Sequence, residues 1–202
     1  MKVIILGALG MLGYDLSKEL TNNGITVIPI SRQDCDISKK EAIYNMIESQ
    51  GDIDYVINCA AYTKVDLAES EQELATIING EAVDHMLKAC NKKQIPFVQL
   101  STDYVFDGTN KDNAYVETDP CKPINVYGYS KWLGEQYCLN STNDYYIFRV
   151  QWLYGNNGNN FIKTMKQLMN DKQELSIVAD QWGSPTSTVS LARYITHVLI
   201  KK

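Results

Sequence analysis

Apolar residues fall into six short runs, at 2–6 (KVIIL), 26–30 (TVIPI), 55–60 (YVINCA), 96–101 (PFVQLS), 145–150 (YYIFRV) and 175–178 (LSIV). Each has strand length, and the runs are close to continuously apolar rather than alternating with polar residues. The intervening stretches are amphipathic. At 71–93, for instance, Leu74, Ile77, Ile78, Val83, Met86, Leu87 and Cys90 approximate helical spacing and predict a helix. Strands buried on both faces and separated by helices are what a parallel sheet covered on both sides requires. The expectation is therefore an α/β chain with a doubly wound, Rossmann-like parallel sheet and helices on both faces. No internal repeat, low-complexity tract or linker interrupts it, and the longest irregular stretch is 107–122, DGTNKDNAYVETDPCK.

Composition narrows the function classes. With 202 residues, 45% hydrophobic and 21% charged, the chain can bury a sizeable core and is no candidate for disorder. A net charge of -5 and a pI near 5.1, with lysines scattered along the chain, provide no positive field for a phosphate backbone, so nucleic acid is not an expected partner. The opening MKVIILGALGMLGYDL has glycine inside its apolar run and no small-residue cleavage site. It therefore reads as a buried strand rather than a signal peptide. No apolar stretch approaches bilayer-spanning length, so a cytoplasmic protein without a membrane partner is expected. The five cysteines, Cys35, Cys59, Cys90, Cys121 and Cys138, form no C-x-x-C pair and fit reduced thiols, with no metal site expected.

Candidate chemistry follows the strands. After the first comes Gly7-Ala8-Leu9-Gly10-Met11-Leu12-Gly13, a G-x-x-G-x-x-G spacing that opens a helix. Glycine there lets backbone approach a pyrophosphate, and a helix N-terminus offers unpaired N–H groups with partial positive charge. A purely structural glycine turn would read the same way. The second strand ends in Ser31-Arg32-Gln33-Asp34, where a small residue followed by arginine suits a 2′-phosphate and favours NADPH over NADH. Arg32 could equally be an ordinary surface arginine and Asp34 a ribose ligand. Asp36-Ile37 could flank adenine, or Asp36 or Ser38 could cap the next helix. The third strand ends in Asn58-Cys59-Ala60-Ala61-Tyr62-Thr63, small enough for close cofactor contact, and the fourth in Ser101-Thr102-Asp103-Tyr104, with hydroxyls and a carboxylate at the sheet edge.

The segment INVYGYSKW then places Tyr127 four residues before Lys131, one helical turn away, whereas Tyr129 points elsewhere. An ammonium close to a phenol favours the phenolate and lowers its pKa from about 10. So tuned, Tyr127 could pass a proton to a carbonyl oxygen while Thr102 hydrogen-bonds the same oxygen. On spacing alone, a packing tyrosine and a solvated lysine would look identical. The glycine loop and the fourth strand, in this order, favour chemistry.

The blocks GALGMLG, NCAAYTKVDLAESE, STDYVFDGT, INVYGYSKWLGE, FRVQWLYGNNGNNFIKTM and DQWGSPT together resemble the extended short-chain dehydrogenase/reductases, most closely the dTDP-4-dehydrorhamnose reductase family. The resemblance implies reduction of the 4-keto group of a dTDP-4-dehydro-6-deoxy sugar to dTDP-L-rhamnose with NADPH or NADH, in surface polysaccharide synthesis. It implies that Tyr127 donates the proton, that Lys131 binds the nicotinamide ribose and tunes Tyr127, and that Thr102 polarises the keto oxygen. Gly7, Gly10, Met11 and Leu12 would hold the pyrophosphate with Gly13 beside them. Asp36 and Ile37 would meet adenine, and Ala60, Ala61, Tyr62 and Thr63 would line the cofactor. Thr63, Val65, Asp103 and Trp152 would contact the deoxysugar, although Trp152 could instead be a core indole. Residues 1–150 would form the NAD(P)-binding unit and 151–202 a partial substrate-binding region.

Two departures from the family pattern stand out. Family members continue well past the equivalent of Lys202, so the segment closing over the nucleotide sugar is expected to be absent, shortened or removed. Some members dimerise through a magnesium site built of glutamates, but the matching positions are Asp15 and Val189, so any homodimer is expected to lack a metal bridge. Two other readings stay open: a non-catalytic NADP-binding partner chain like the regulatory β subunit of methionine adenosyltransferase, and a reductase of another NDP-4-keto-6-deoxy sugar.

Overall fold

The computed structural model describes residues 1–110 and 113–201. Five of the six apolar runs are strands: β1 (Lys2–Leu6), β2 (Thr26–Ile30), β3 (Tyr55–Asn58), β4 (Phe97–Thr102) and β5 (Tyr145–Val150). They form one parallel sheet in the order β2-β1-β3-β4-β5. Connections leave β1 toward β2 on one side and continue from β3 on the other. The C-terminal ends of β1 and β3 therefore bound the topological switch point, where doubly wound sheets open a ligand crevice.

Both faces of the sheet are covered, as the unbroken apolar runs require. Val3 and Ile5 of β1 pack with Leu12, Leu16 and Leu20 of α1 (Met11–Asn22) and with Leu191, Ile195 and Leu199 of α8 (Thr188–Ile200). Ile4 and Leu6, one residue out of phase, face Ile43 and Ile47 of α2 (Lys40–Ser49), Val83 and Met86 of α5 (Ala82–Lys92) and Cys138 of α6 (Val126–Leu139). Side chains that alternate across a strand thus each find an apolar layer. The Thr188 hydroxyl donates to the Asp15 carboxylate, pinning the start of α8 to α1. All five cysteines are free thiols.

One sequence expectation is corrected and two others gain detail. First, the run at 175–178 is not a strand: among the described residues no strand lies beside it to pair with, and Ile177 and Val178 are exposed. A separate two-stranded sheet forms instead from β6 (Leu153–Tyr154) and β7 (Thr186–Ser187). Second, the helix expected over 71–93 forms as one continuous helical run made of α4 (Gln72–Thr76), a π-helical turn (Ile77–Glu81) and α5, preceded by the short α3 (Val65–Ala68). The wider turn lets α6 cross against it: a Cβ on Gly134 would lie 2.4 Å from the Asn79 carbonyl. It also points Asn79 inward, where it is buried. Third, in the irregular 107–122 stretch Lys111 and Asp112 lie outside the described residues, while Phe106 stacks on Tyr115 with ring centroids 4.3 Å apart. Among the described residues, no helix is long and apolar enough to cross a membrane.

Candidate active site

At the crevice, Gly7 leaves β1 with φ +73° and donates to the Ile30 carbonyl at 2.9 Å. A Cβ there would lie 2.7 Å from the Ala60 nitrogen, so only glycine lets the loop lie this close to the end of β3. Gly10 occupies the N-cap of α1 with no side-chain capping bond, and Met11, Leu12 and Gly13 form the first turn. Their leading N–H groups are therefore free of side-chain competition at the positive end of the helix. A second segment holds this loop from outside: Asn157 Nδ2 donates to the Leu9 and Gly10 carbonyls at 2.9 and 3.2 Å. Asn160, which caps α7 (Phe161–Asp171), anchors the same segment through the Gly155 carbonyl.

At the end of β2, Asp34 accepts from the Ser31 nitrogen at 2.8 Å and from its hydroxyl at 2.6 Å. The hydroxyl bond, then the backbone bond, lower its pKa. Those bonds occupy one oxygen and fold Asp34 back on its own turn. Asp36 likewise accepts from the Ser38 hydroxyl and nitrogen, so it makes a local turn while the N-cap of α2 is Lys39. Arg32 is exposed, and no carboxylate among the described residues comes within ion-pair range of it. Ile37, partly buried, packs against the sheet core nearby.

Beyond β3, Asn58 donates to Gln99 Oε1 at 2.9 Å and accepts from the Ala60 nitrogen, setting the turn through Ala60 and Ala61. Tyr62 is held at both backbone atoms by Asn79, which accepts from its nitrogen and donates to its carbonyl, each at 2.9 Å. Asn79 also donates to Ser130 Oγ, and Ser130 Oγ donates to the Tyr127 carbonyl. One buried asparagine thus links the segment after β3 to α6. The Tyr62 phenol is spent on Glu71. Thr63 is exposed and Val65 half-buried at the start of α3.

Tyr127 and Thr102 come together. Asn125 caps α6 by accepting from the Gly128 nitrogen at 2.7 Å, which sets Tyr127 in the first turn. Its ring packs edge-on against Tyr104, and the Thr102 hydroxyl lies near enough to its phenol to oppose the rise in its pKa. Thr102 also donates to Asp103 Oδ1 at 3.0 Å. The expected lowering of the phenol pKa is corrected: burial pushes Tyr127 up to about 12, with Asp103 and Tyr104 adding to the rise and only Thr102 opposing it. Lys131 does not face the phenol oxygen as its partner. It is 3% exposed and donates to the Leu100 carbonyl at 2.6 Å. Burial pulls its ammonium down to about 8, against the opposing charge of Glu135. Spacing placed the two residues on one helix face but could not show where the ammonium would be spent.

Trp152 is not a core indole: it is 42% exposed, in the left-handed region at φ +46°. A tryptophan held there is strained, and such strain gathers at functional sites. Sequence reasoning missed Asn79, Asn157, Glu135 and Arg149. Only Glu135 carried a signal, lying one turn after Lys131.

Fold and site define a doubly wound α/β protein whose crevice, at the switch point beside β4, joins a glycine loop to a tyrosine, a threonine and a buried lysine. The RmlD substrate binding domain family matches the chain over residues 1–202, and the chain belongs to that family. It is 42% identical to a dTDP-4-dehydrorhamnose reductase of Burkholderia thailandensis over 98% of this chain and 66% of that protein. With one from Mycolicibacterium smegmatis the identity is 37%, over 98% of this chain and 60% of the relative. Among solved structures, a Bacillus anthracis dTDP-4-dehydrorhamnose reductase in complex with NADP is similar at TM-score 0.93 and 40% identity, covering 98% of this chain and 70% of that one. The chain thus spans somewhat under two thirds of the length of these curated relatives.

Burial of Lys131 has a consequence for stability. Its folded pKa, about 8, lies below the ordinary 10.5, so from pH 8 to 10.5 the unfolded chain holds more protons and stability rises with pH. The burial penalty, about 3 kcal/mol at 1.36 kcal/mol per pH unit, is present below pH 8 and relieved above 10.5. Lys131→Met lacks it. Urea denaturation at pH 7 and at pH 10.5 is expected to show the variant's advantage over the parent shrinking by up to that amount; a pH-independent difference would contradict the buried ammonium.

Proposed function

We propose that this chain is an NAD(P)H-dependent reductase of nucleotide-linked 4-keto-6-deoxy sugars, taking dTDP-4-dehydrorhamnose to dTDP-L-rhamnose in the cytoplasm. The observation that carries the reading is the Thr102–Tyr127 contact at the C-terminal end of β4, beside the crevice that Gly7 keeps open. Family membership and the NADP carried by the Bacillus anthracis relative support the same cofactor here.

The residues fit a dinucleotide. The uncapped start of α1 and the space a Cβ on Gly7 would fill suit a pyrophosphate at Gly7, Gly10, Met11, Leu12 and Gly13. Arg32, exposed and without an ion-pair partner among the described residues, suits a 2′-phosphate, which favours NADPH over NADH. Asp36 and Ile37 border the adenine, and Ala60, Ala61, Tyr62 and Thr63 line the wall from β3. When bound, the cofactor supplies the hydride. Tyr127, protonated at neutral pH because burial holds it near 12, gives its phenolic proton to the keto oxygen. Thr102 donates a hydrogen bond to that oxygen as charge gathers on it. Lys131, on the same helix, binds the nicotinamide ribose. Asp103, Thr63, Val65 and Trp152 contact the deoxysugar. In this reading residues 1–150 hold the cofactor and the following segment meets the sugar, while α8 returns to the sheet. A homodimer would form without a metal bridge, because Asp15 is engaged by Thr188 and the next residue is Val189.

One observation favours the non-catalytic reading, an NADP-binding partner chain: Phe161 and Trp182, in the segment expected to meet the sugar, stand 63% and 94% exposed. Turnover separates the two. Adding dTDP-4-dehydrorhamnose to protein and NADPH is expected to remove absorbance at 340 nm. Tyr127→Phe is expected to lower kcat by about 10²- to 10⁴-fold with NADPH affinity kept. Tight NADPH binding without turnover on any keto sugar would reject the reductase. Arg32→Ala is expected to weaken NADPH about tenfold while sparing NADH, read by titration calorimetry; equal effects on both cofactors would remove Arg32 from the 2′-phosphate site.

A further inference from the structure

Behind Lys131 lies a second charge that the proposed chemistry has not used. Glu135 is 0% exposed, one turn further along α6, and both its oxygens are taken by Arg149 of β5: Nη2 to Oε2 at 2.7 Å and Nε to Oε1 at 3.0 Å. Arg149 also donates to the Glu117 carbonyl at 3.1 Å and to Cys121 Sγ at 3.3 Å, and its guanidinium lies 5.1 Å from the Phe106 ring centroid. A carboxylate buried this completely is costly unless its charge is matched. Two cations neighbour it: Arg149, paired with both its oxygens, and Lys131, one turn earlier on α6 and hydrogen-bonded to Leu100.

We propose that Glu135, clamped by Arg149, is a positioning residue that keeps the buried Lys131 ammonium charged, and that Arg149 sets how much of that carboxylate Lys131 feels. The inference deepens the proposed reductase and rests on it for any effect on turnover. The ionisable groups facing Lys131 are Glu135 and Cys138 on its own helix and Cys59 after β3. Burial pushes both thiols to about 12, so they are neutral across the working range and Glu135 is the one charged neighbour among them. In a poorly screened interior, its carboxylate acts on the ammonium without direct contact. The bidentate clamp fixes the carboxylate and neutralises part of its field. Arg149 and Glu135 therefore act on Lys131 in opposite directions.

That opposition is the test. In protein labelled with ¹³C-lysine, the Lys131 ε-carbon, assigned by its loss in Lys131→Arg, is titrated by NMR without cofactor or substrate. Glu135→Gln is expected to lower its midpoint by about one pH unit or more, whereas Arg149→Gln is expected to raise it. Glu135→Asp, which keeps the charge, is expected to remain near the parent value. The alkaline limb of kcat/KM is expected to move in the same two directions. A purely structural pair would lower melting temperature in both variants and leave the midpoint in place, and that result overturns the proposal. If Glu135→Gln does not fold, Arg149→Gln decides alone: a midpoint that stays or falls overturns the proposal. Because the NMR midpoint needs no turnover, shifted midpoints in a protein that reduces no keto sugar would reject the reductase and leave the Glu135 assignment standing.

Discussion

The bond from the Lys131 ammonium to the Leu100 carbonyl joins the helix that carries Tyr127 to the strand that ends in Thr102. A lysine taken out of water loses solvation that one hydrogen bond only partly restores, which is why its pKa falls toward 8. The arrangement holds because packing around it is tight. Cys138 lies behind it, Asn79 fastens the neighbouring backbone, and the Glu135 carboxylate supplies opposing charge. Tyr127 and Thr102 then meet where α6 packs against β4.

The same constraint explains the crevice. In the order β2-β1-β3-β4-β5, connections diverge at β1 and β3, which is where doubly wound sheets open a crevice at the strands' C-terminal ends. Gly7 brings the first loop against the start of the next segment, and Asn157 grips that loop from the far side of the chain. The segment that grips the loop continues into α7, whose outer residues Phe161, Ile162 and Met169 are exposed. The side of the crevice formed by β1, β3 and β4 is thus built from well-buried elements, and the side next to α7 from lightly packed ones.

How much of this was legible in the sequence follows from which forces are local. Strands β1 to β5 showed because a buried parallel strand must be apolar at every position, and the glycine loop because no other residue tolerates φ +73° beside Ala60. The run at 175–178 has the same composition and failed, since a strand also needs a partner edge and none lies there. The π turn at Ile77–Glu81 was invisible because it packs against α6, some fifty residues further along the chain. Tyr127 and Lys131 were found by spacing, yet the expected direction of the Tyr127 shift was wrong. Spacing reports which residues share a face, whereas desolvation depends on everything packed around them. Arg149 drew no notice inside an apolar run, although its register opposite Ser101 aims it at α6.

In the proposed reductase a nicotinamide ring lies between the glycine loop and the Tyr127–Thr102 pair, above the buried lysine. A crystal structure of this chain with NADPH tests it most directly. The pyrophosphate is expected on the first turn of α1 and the nicotinamide C4 facing the space beside the Tyr127 phenol, with room for a reacting carbonyl about 3–3.5 Å away. A ring bound away from Tyr127, or a crevice that admits no dinucleotide, would contradict it.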